Sequence, residues 1–274
     1  MKDIKLKYKR AVLIVIFICA LFVLAFCVNY ILDYNQQLKK ATTDLENMPS
    51  VDVQITTEQE TTSNSTAEVE VPVEVIEPEK EPVVIPVDFQ TLQTQNADIY
   101  AWINIPGTII DYPVLQSDSD NAYYLKHTVD GIEGFPGSIY TENYNTKSFD
   151  DRNTVIYGHK LKNGTMFSQL HKYRDSAFFE ENPYIYIYTP EHIYTYSIFA
   201  AYLSDDKHIL LSYDFNNQAV YKHYLDEIFQ IKSMNMNLNK SLDVSDESKI
   251  ITLSTCATDA NQRMLVQAVL IKEE

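Results

Sequence analysis

Cysteine is scarce in this chain. Of three in 274 residues, Cys19 and Cys27 fall within the first 30, and Cys256 stands alone in the remainder. That rules out an intramolecular disulfide framework and a cysteine-based zinc site there, and no paired-histidine spacing offers a substitute. Cys256 is then either a small buried hydrophobe or a nucleophile. Glycine is rarer still, at six, and neither GxGxxG nor GxxxxGK[ST] occurs, so no backbone loop cradles a nucleotide phosphate. Basic residues are in deficit, with 22 Lys and Arg against 38 Asp and Glu, a net charge of -16. Nucleic acid as a partner would call for the opposite balance. Beyond residue 31 no apolar run reaches the length of a membrane span.

One such run is present near the start. Ala11 to Ile31 is apolar except at Asn29, and about 20 such residues cross the hydrocarbon core of a bilayer. Residues 1–10 carry Lys2, Lys5, Lys7, Lys9 and Arg10 against Asp3. Basic residues on that side put the N-terminus in the cytoplasm and the rest of the chain outside. A cleaved signal peptide is the competing reading. The run is long for one, and no small-x-small cleavage site follows. The expectation is a transmembrane anchor over 11–31 behind a basic cytoplasmic segment, 1–10, in contact with the lipid bilayer.

The composition then changes. From Ala41 to Asp88 there are twelve acids, one base (Lys80), five prolines and no aromatic residue. Too little apolar surface is available to offset the entropy of ordering, and the Val-Pro and Glu-Pro pieces favour extended, self-repelling backbone. With the polar stretch Asp33 to Lys40, which extends the helix by two turns, residues 32–88 read as a disordered acidic stalk holding a domain away from the membrane.

Aromatic residues return at Phe89, and 89–274 is long enough for one core. A helix is expected over Phe89 to Ile99, then strands at Trp102–Ile105 and Ile109–Gln116. A short helical turn capped by Asp120 follows, then strands at Gly137–Tyr140 and Asn153–His159. Residues 165–180 suggest short helices. Tyr184 to Tyr188 alternates Tyr and Ile with period two, and Ile193 to Leu203 pairs with it across the turn at 189–192. Val220, Tyr221, Tyr224, Leu225, Ile228 and Phe229 form one helical stripe. Two last strands end and begin at Cys256 and Arg263. The fold class is mainly β, a barrel or sandwich of about eight strands with helical insertions.

A thiol of ordinary pKa is only about 3% thiolate at neutral pH, so a nucleophilic Cys256 needs a base beside it. Of the six histidines, His159 follows an apolar strand through a Gly, which exposes a side chain at a strand end. It can take the thiol proton and return it to a leaving amine. Acyl transfer also builds an oxyanion, for which Arg263 offers fixed charge and a fork of donors. The bland alternative makes Arg263 a surface ion-pair partner of Asp259.

These residues carry a resemblance. Thr252-Leu253-Ser254-Thr255-Cys256 followed by Arg263, and Asn153-Thr154-Val155-Ile156-Tyr157-Gly158-His159, resemble the two strands that bear the active site of sortases. Ala101 to Ile105, Ile110 to Val114, Asp120 to Leu125 and Gly164 to Leu170 extend the likeness in order across 89–274. The anchor, leading helix and helical insertion before the Cys strand are most similar to class B. The resemblance implies a closed eight-stranded β-barrel and a cysteine transpeptidase without cofactor or metal. Cys256 would cleave a C-terminal sorting signal after Thr, and an amine of a peptidoglycan precursor or a pilin would resolve the thioacyl enzyme. His159 would be general acid and base, and Arg263 would hold the oxyanion or substrate backbone. Ser254, Thr255, Asn121 and Leu125 would line the substrate groove. It also implies that the catalytic domain faces the cell wall of a Gram-positive cell and meets secreted proteins there.

Two other classes of function use the same residues differently. A cell-wall cysteine peptidase would hydrolyse without transfer, and a stalked binding domain would merely bury Cys256. Haem capture by the tyrosines at 184, 186 and 188 is a third reading, but alternation in a half-buried strand explains them.

Overall fold

The computed structural model describes residues 2–46, 83–233, 236–257, 259 and 261–274. The acidic stretch 47–82, the greater part of the expected stalk, lies outside them.

A single helix, α1 (Lys2–Glu46), contains the apolar run and carries on through Asp33–Lys40. Among the described residues it is the one helix long and apolar enough to cross a membrane, by length and composition over Ile16–Lys40. Phe17, Phe22, Val23 and Phe26 stand well exposed on it. Further along, Tyr34 packs on Phe135 with ring centroids 5.0 Å apart, and Leu38 rests on the main core. The outer end of α1 thus lies against the domain, closer than an extended stalk would hold it.

The domain opens with α2 (Phe89–Gln95), where the Asp88 carboxylate accepts from the Thr91 amide at 3.0 Å and caps the helix. Its Phe89 and Leu92 bury against Ile99, Trp102 and Leu115. Among the described residues nine strands follow: β1 (Ile99–Asn104), β2 (Asp111–Leu115), β3 (Ile139–Thr141), β4 (Asn153–Tyr157), β5 (Tyr184–Tyr188), β6 (Ile193–Asp205), β7 (Asn237–Leu238), β8 (Ile250–Cys256) and β9 (Gln262–Glu273). Eight of them close a barrel in the order β5-β1-β2-β3-β4-β8-β9-β6, with β6 pairing back onto β5, and the two-residue β7 adds to β6 outside the ring. Closure leaves no open edge within the ring. The eight-stranded barrel expected from the resemblance is therefore present.

The alternation in β5 is explained by the barrel wall: Ile185 and Ile187 point into the core, while Tyr184 and Tyr186 are exposed or half-buried. Helix α3 (Tyr123–Lys126) forms where a short turn was expected, but Asp120 is not its cap. The Asp120 carboxylate instead accepts from the Ala122 amide at 2.9 Å, closing the turn before the helix, whose N-cap position is Ala122. A 3-10 helix (Phe167–Arg174) and α4 (Ser176–Glu181) cover one end of the barrel. Between β6 and β8 come α5 (Ile209–Ser212) and α6 (Gln218–Gln230), the former unexpected from sequence. Tyr221, Tyr224, Leu225 and Ile228 of α6 bury against Val155, Phe199, Leu265 and Val269, forming a second core outside the barrel wall. Each such side chain contributes about 1.5–3 kcal/mol of burial.

A buried polar chain stitches β4, β8, β9 and α6 together. The Gln267 amide donates to the Tyr224 hydroxyl at 2.7 Å and to Thr252 Oγ1 at 3.0 Å, and Thr252 donates to Asn153 Oδ1 at 2.8 Å. Tyr202 donates to Gln267 Oε1 at 3.1 Å. This chain specifies the register of the three strands that carry the candidate chemistry.

Candidate active site

Register alone brings three side chains to one end of the barrel. β4 and β8 are parallel, with Tyr157 beside Ser254, and Gly158 N donates to Ser254 O at 3.1 Å. His159 lies two residues past the Tyr157 end of β4, and Cys256, two residues past Ser254, ends β8. β8 and β9 are antiparallel, and their last paired residues are Cys256 and Arg263. All three line one cavity of roughly 290 Å³, together with Asn121, Leu125, Ser254 and Thr255. Every site residue singled out from the sequence therefore borders the same space.

Cys256 is exposed, whereas Ser254 and Thr255 before it are buried. The alternative of a buried, inert thiol does not hold. Burial is continuous along β8 from Ile250 to Thr255 and ends at Cys256, where the strand runs out of barrel to pack against. His159 Nε2 lies 2.8 Å from the backbone oxygen of Leu125. A carbonyl only accepts, so Nε2 carries the hydrogen and Nδ1 is the nitrogen that can take a proton. The Phe135 ring lies 6.0 Å from the imidazole. Arg263 is half-buried, and its Nη1 donates to Gln262 O at 3.1 Å. Asn121 is held from behind: its Oδ1 accepts from the Asn143 amide at 2.6 Å.

Two tyrosines form the cavity wall between strands. Burial first, then the negative charge of Glu142, pushes the phenols of Tyr140 and Tyr157 well up, and Cys256 adds to the effect on Tyr140. Both therefore face the cavity as neutral hydroxyls.

Sequence reasoning missed two contacts. The first is the Leu125 carbonyl: Leu125 was singled out for its side chain, yet its backbone oxygen orients His159. The second is His171 in the 3-10 helix, whose Nε2 donates to the Cys256 carbonyl at 3.0 Å. Burial lowers the His171 pKa, which favours the neutral ring. No local pattern marks it, because the two residues are 85 apart in sequence.

Comparison with known proteins bears on the whole domain. A family model described as the sortase domain matches residues 103–271. Over 187 residues the chain is 36% identical to sortase B of Listeria monocytogenes, which spans 67% of this chain and 74% of that protein. The structure of Clostridium perfringens sortase B superposes with a TM-score of 0.61 at 33% identity, covering 67% of this chain and 99% of that one. A Staphylococcus aureus sortase B–substrate complex gives 0.60 at 33% identity, covering 67% and 84%.

Proposed function

The chain belongs to the sortase family as a class B-like cysteine transpeptidase, and on that premise we propose that Cys256, His159 and Arg263 cut and rejoin a sorting signal at the outer face of a membrane. The observation that carries this reading is the register of β4, β8 and β9, which sets the three side chains around one cavity.

The chemistry follows from their properties. His159 takes the thiol proton, and the Cys256 sulfur attacks the carbonyl carbon of a Thr in the peptide. Charge developing on that oxygen is met by the Arg263 guanidinium. As the C–N bond breaks, the imidazolium returns its proton to the leaving amine, leaving a thioester on Cys256. An incoming amine gives up a proton to His159, attacks the thioester and forms a new amide while the thiolate departs. The energy of the cleaved peptide bond is kept in the thioester, so the exchange runs without a nucleotide. The Leu125 carbonyl orients His159 throughout, the third member that such nucleophile–base pairs require. Ser254, Thr255, Asn121 and the Leu125 side chain form the wall along which the peptide lies.

The substrates are secreted proteins bearing a C-terminal sorting signal, and the acceptor is an amine of a peptidoglycan precursor or a pilin. Helix α1 anchors the enzyme by a single pass, with the basic residues 1–10 inside and 89–274 outside, joined through the outer end of α1, which packs on the domain, and the acidic segment that follows it. The exposed apolar face of α1 supports the anchor.

Product analysis tests the transfer step. The full chain in detergent is given a pool of short peptides randomised around one fixed Thr, with and without hydroxylamine. A transpeptidase yields the hydroxamate of the Thr-terminated fragment when the amine is added. A peptidase releases the free acid rapidly without hydroxylamine and a mixture of acid and hydroxamate with it, whereas a transpeptidase releases little acid until the amine is added.

A further inference from the structure

Glu142 lies just after β3 with its side chain only 11% exposed, yet it borders the Cys256 cavity. Tyr157 donates to its Oε2 at 3.2 Å, and His208 meets its Oε1 at 3.0 Å. His208 arrives from the other side of the cavity, in the loop between β6 and α5, and there its Nδ1 accepts from the Leu211 amide at 3.3 Å. A ring nitrogen that accepts carries no hydrogen, so Nε2 is the protonated one and donates to Glu142. The imidazole is thus engaged at both nitrogens, with the Tyr144 and Tyr157 rings 6.2 and 6.3 Å away.

At its far end the loop is held by Ile209, buried in the second core, and by Lys207 Nζ, 4.3 Å from the centre of the Tyr213 ring. The β6–β9 ladder ends at Asp205 opposite Gln262, and Asp205, Asp206 and Lys207 are exposed. Among the described residues, the other hydrogen bonds of Lys207 and His208 are local, such as Lys207 N to Asp205 Oδ1 at 3.3 Å. Residues 205–209 nevertheless form one wall of the cavity. The bond to Glu142 crosses from that wall to the strand beside the one leading to His159.

We propose that the His208–Glu142 hydrogen bond is a strap that fixes the 205–209 loop as a wall of the substrate groove, making both side chains positioning residues for peptide binding. The proposal rests on the transpeptidase reading and assigns neither residue a part in bond making. Without the strap the wall moves, and the peptide must order it on binding. That cost falls on ground-state and transition-state binding alike, so KM rises while kcat is spared.

The test is the rate of hydroxamate formation by the full chain in detergent, with a peptide that the wild type selects from the pool. His208→Ala is expected to raise KM about tenfold and to keep kcat within about twofold. His208→Gln, whose amide can donate to Glu142, recovers part of the loss. Glu142→Ala, which also takes the acceptor from the Tyr157 hydroxyl, gives at least as large a rise, and the double variant no more than Glu142→Ala alone, since the His208 bond is already lost there. An unchanged KM in His208→Ala overturns the strap, as do a fall of kcat with KM constant and fully additive effects in the double variant. A wild-type enzyme that turns over no peptide in the pool overturns the transpeptidase reading instead, and the strap with it.

Discussion

The backbone oxygen of Leu125 accepts a hydrogen bond from His159 Nε2 at 2.8 Å, so the orientation of the candidate base is set by helix α3, 34 residues before it in the chain. This fixes which nitrogen carries the hydrogen. It also makes the base sensitive to whatever holds that helix in place.

Gly137 is part of what holds it. Its φ is +71°, and a Cβ added there would meet the Leu125 oxygen at 2.7 Å and the Tyr124 oxygen at 2.9 Å. Gly137→Ala should therefore push the carbonyl away from His159, on top of a backbone penalty on the order of 1 kcal/mol. The expected result is a fall in kcat of about tenfold or more, seen in single-turnover acylation, beside a modest drop in melting temperature.

Loss of the base itself should be more severe. His159→Ala is expected to lower the acylation rate by about 10²–10⁴-fold, the usual range for a positioned acid–base group. Circular dichroism should show an unchanged fold, because the ring is partly exposed.

Arg263 faces Cys256 across the last rung of the β8–β9 ladder. Arg263→Ala should reduce kcat by about 10²–10³-fold, as expected when an oxyanion donor is removed. Arg263→Lys should recover only part of this, since an ammonium supplies the charge but not the planar fork. Full activity in Arg263→Ala would return the residue to an ordinary surface role.

Stability should depend on pH through His171. Burial depresses its pKa in the folded state, so the unfolded chain binds more protons at and below the ordinary histidine value. Its neutral-ring contribution is fully present above about pH 6.5 and is lost as the pH falls from there through the lower folded value. The melting temperature should drop on acidification from pH 7.5 to 5.5, and drop less in His171→Gln, which has no ring to protonate.

The buried chain around Gln267 should matter to stability before it matters to chemistry. Gln267→Leu leaves the Thr252, Tyr202 and Tyr224 hydroxyls short of partners, and should cost about 1–3 kcal/mol in urea unfolding.

Much of this was legible in the sequence where the period of the pattern was unambiguous. The Tyr/Ile alternation of β5, the α6 stripe and the apolar runs into Cys256 and out of Arg263 each report a face that the barrel buries. Cys256 was recognisable because it ends an apolar strand and His159 because it follows one through Gly158, but their meeting depends on a parallel pairing of β4 with β8 that no local signal specifies. Helix α5 is only four residues long, too short for a periodic signature, so its loop and the His208 contact stayed hidden. Asp120 was read as a cap because it precedes a helix, but its carboxylate closes the preceding turn. His171 and the Leu125 carbonyl were invisible for one reason: each acts through backbone atoms or long-range contacts, which side-chain patterns do not record.

The most direct test of the account is intact-mass analysis of the full chain in detergent after mixing with the Thr-centred peptide pool, beside Cys256→Ala. The expected result is an adduct on Cys256 equal to a peptide fragment ending in Thr, absent in the variant and released as a hydroxamate by hydroxylamine. A Cys256 that alkylates readily yet never carries a peptide fragment would contradict it.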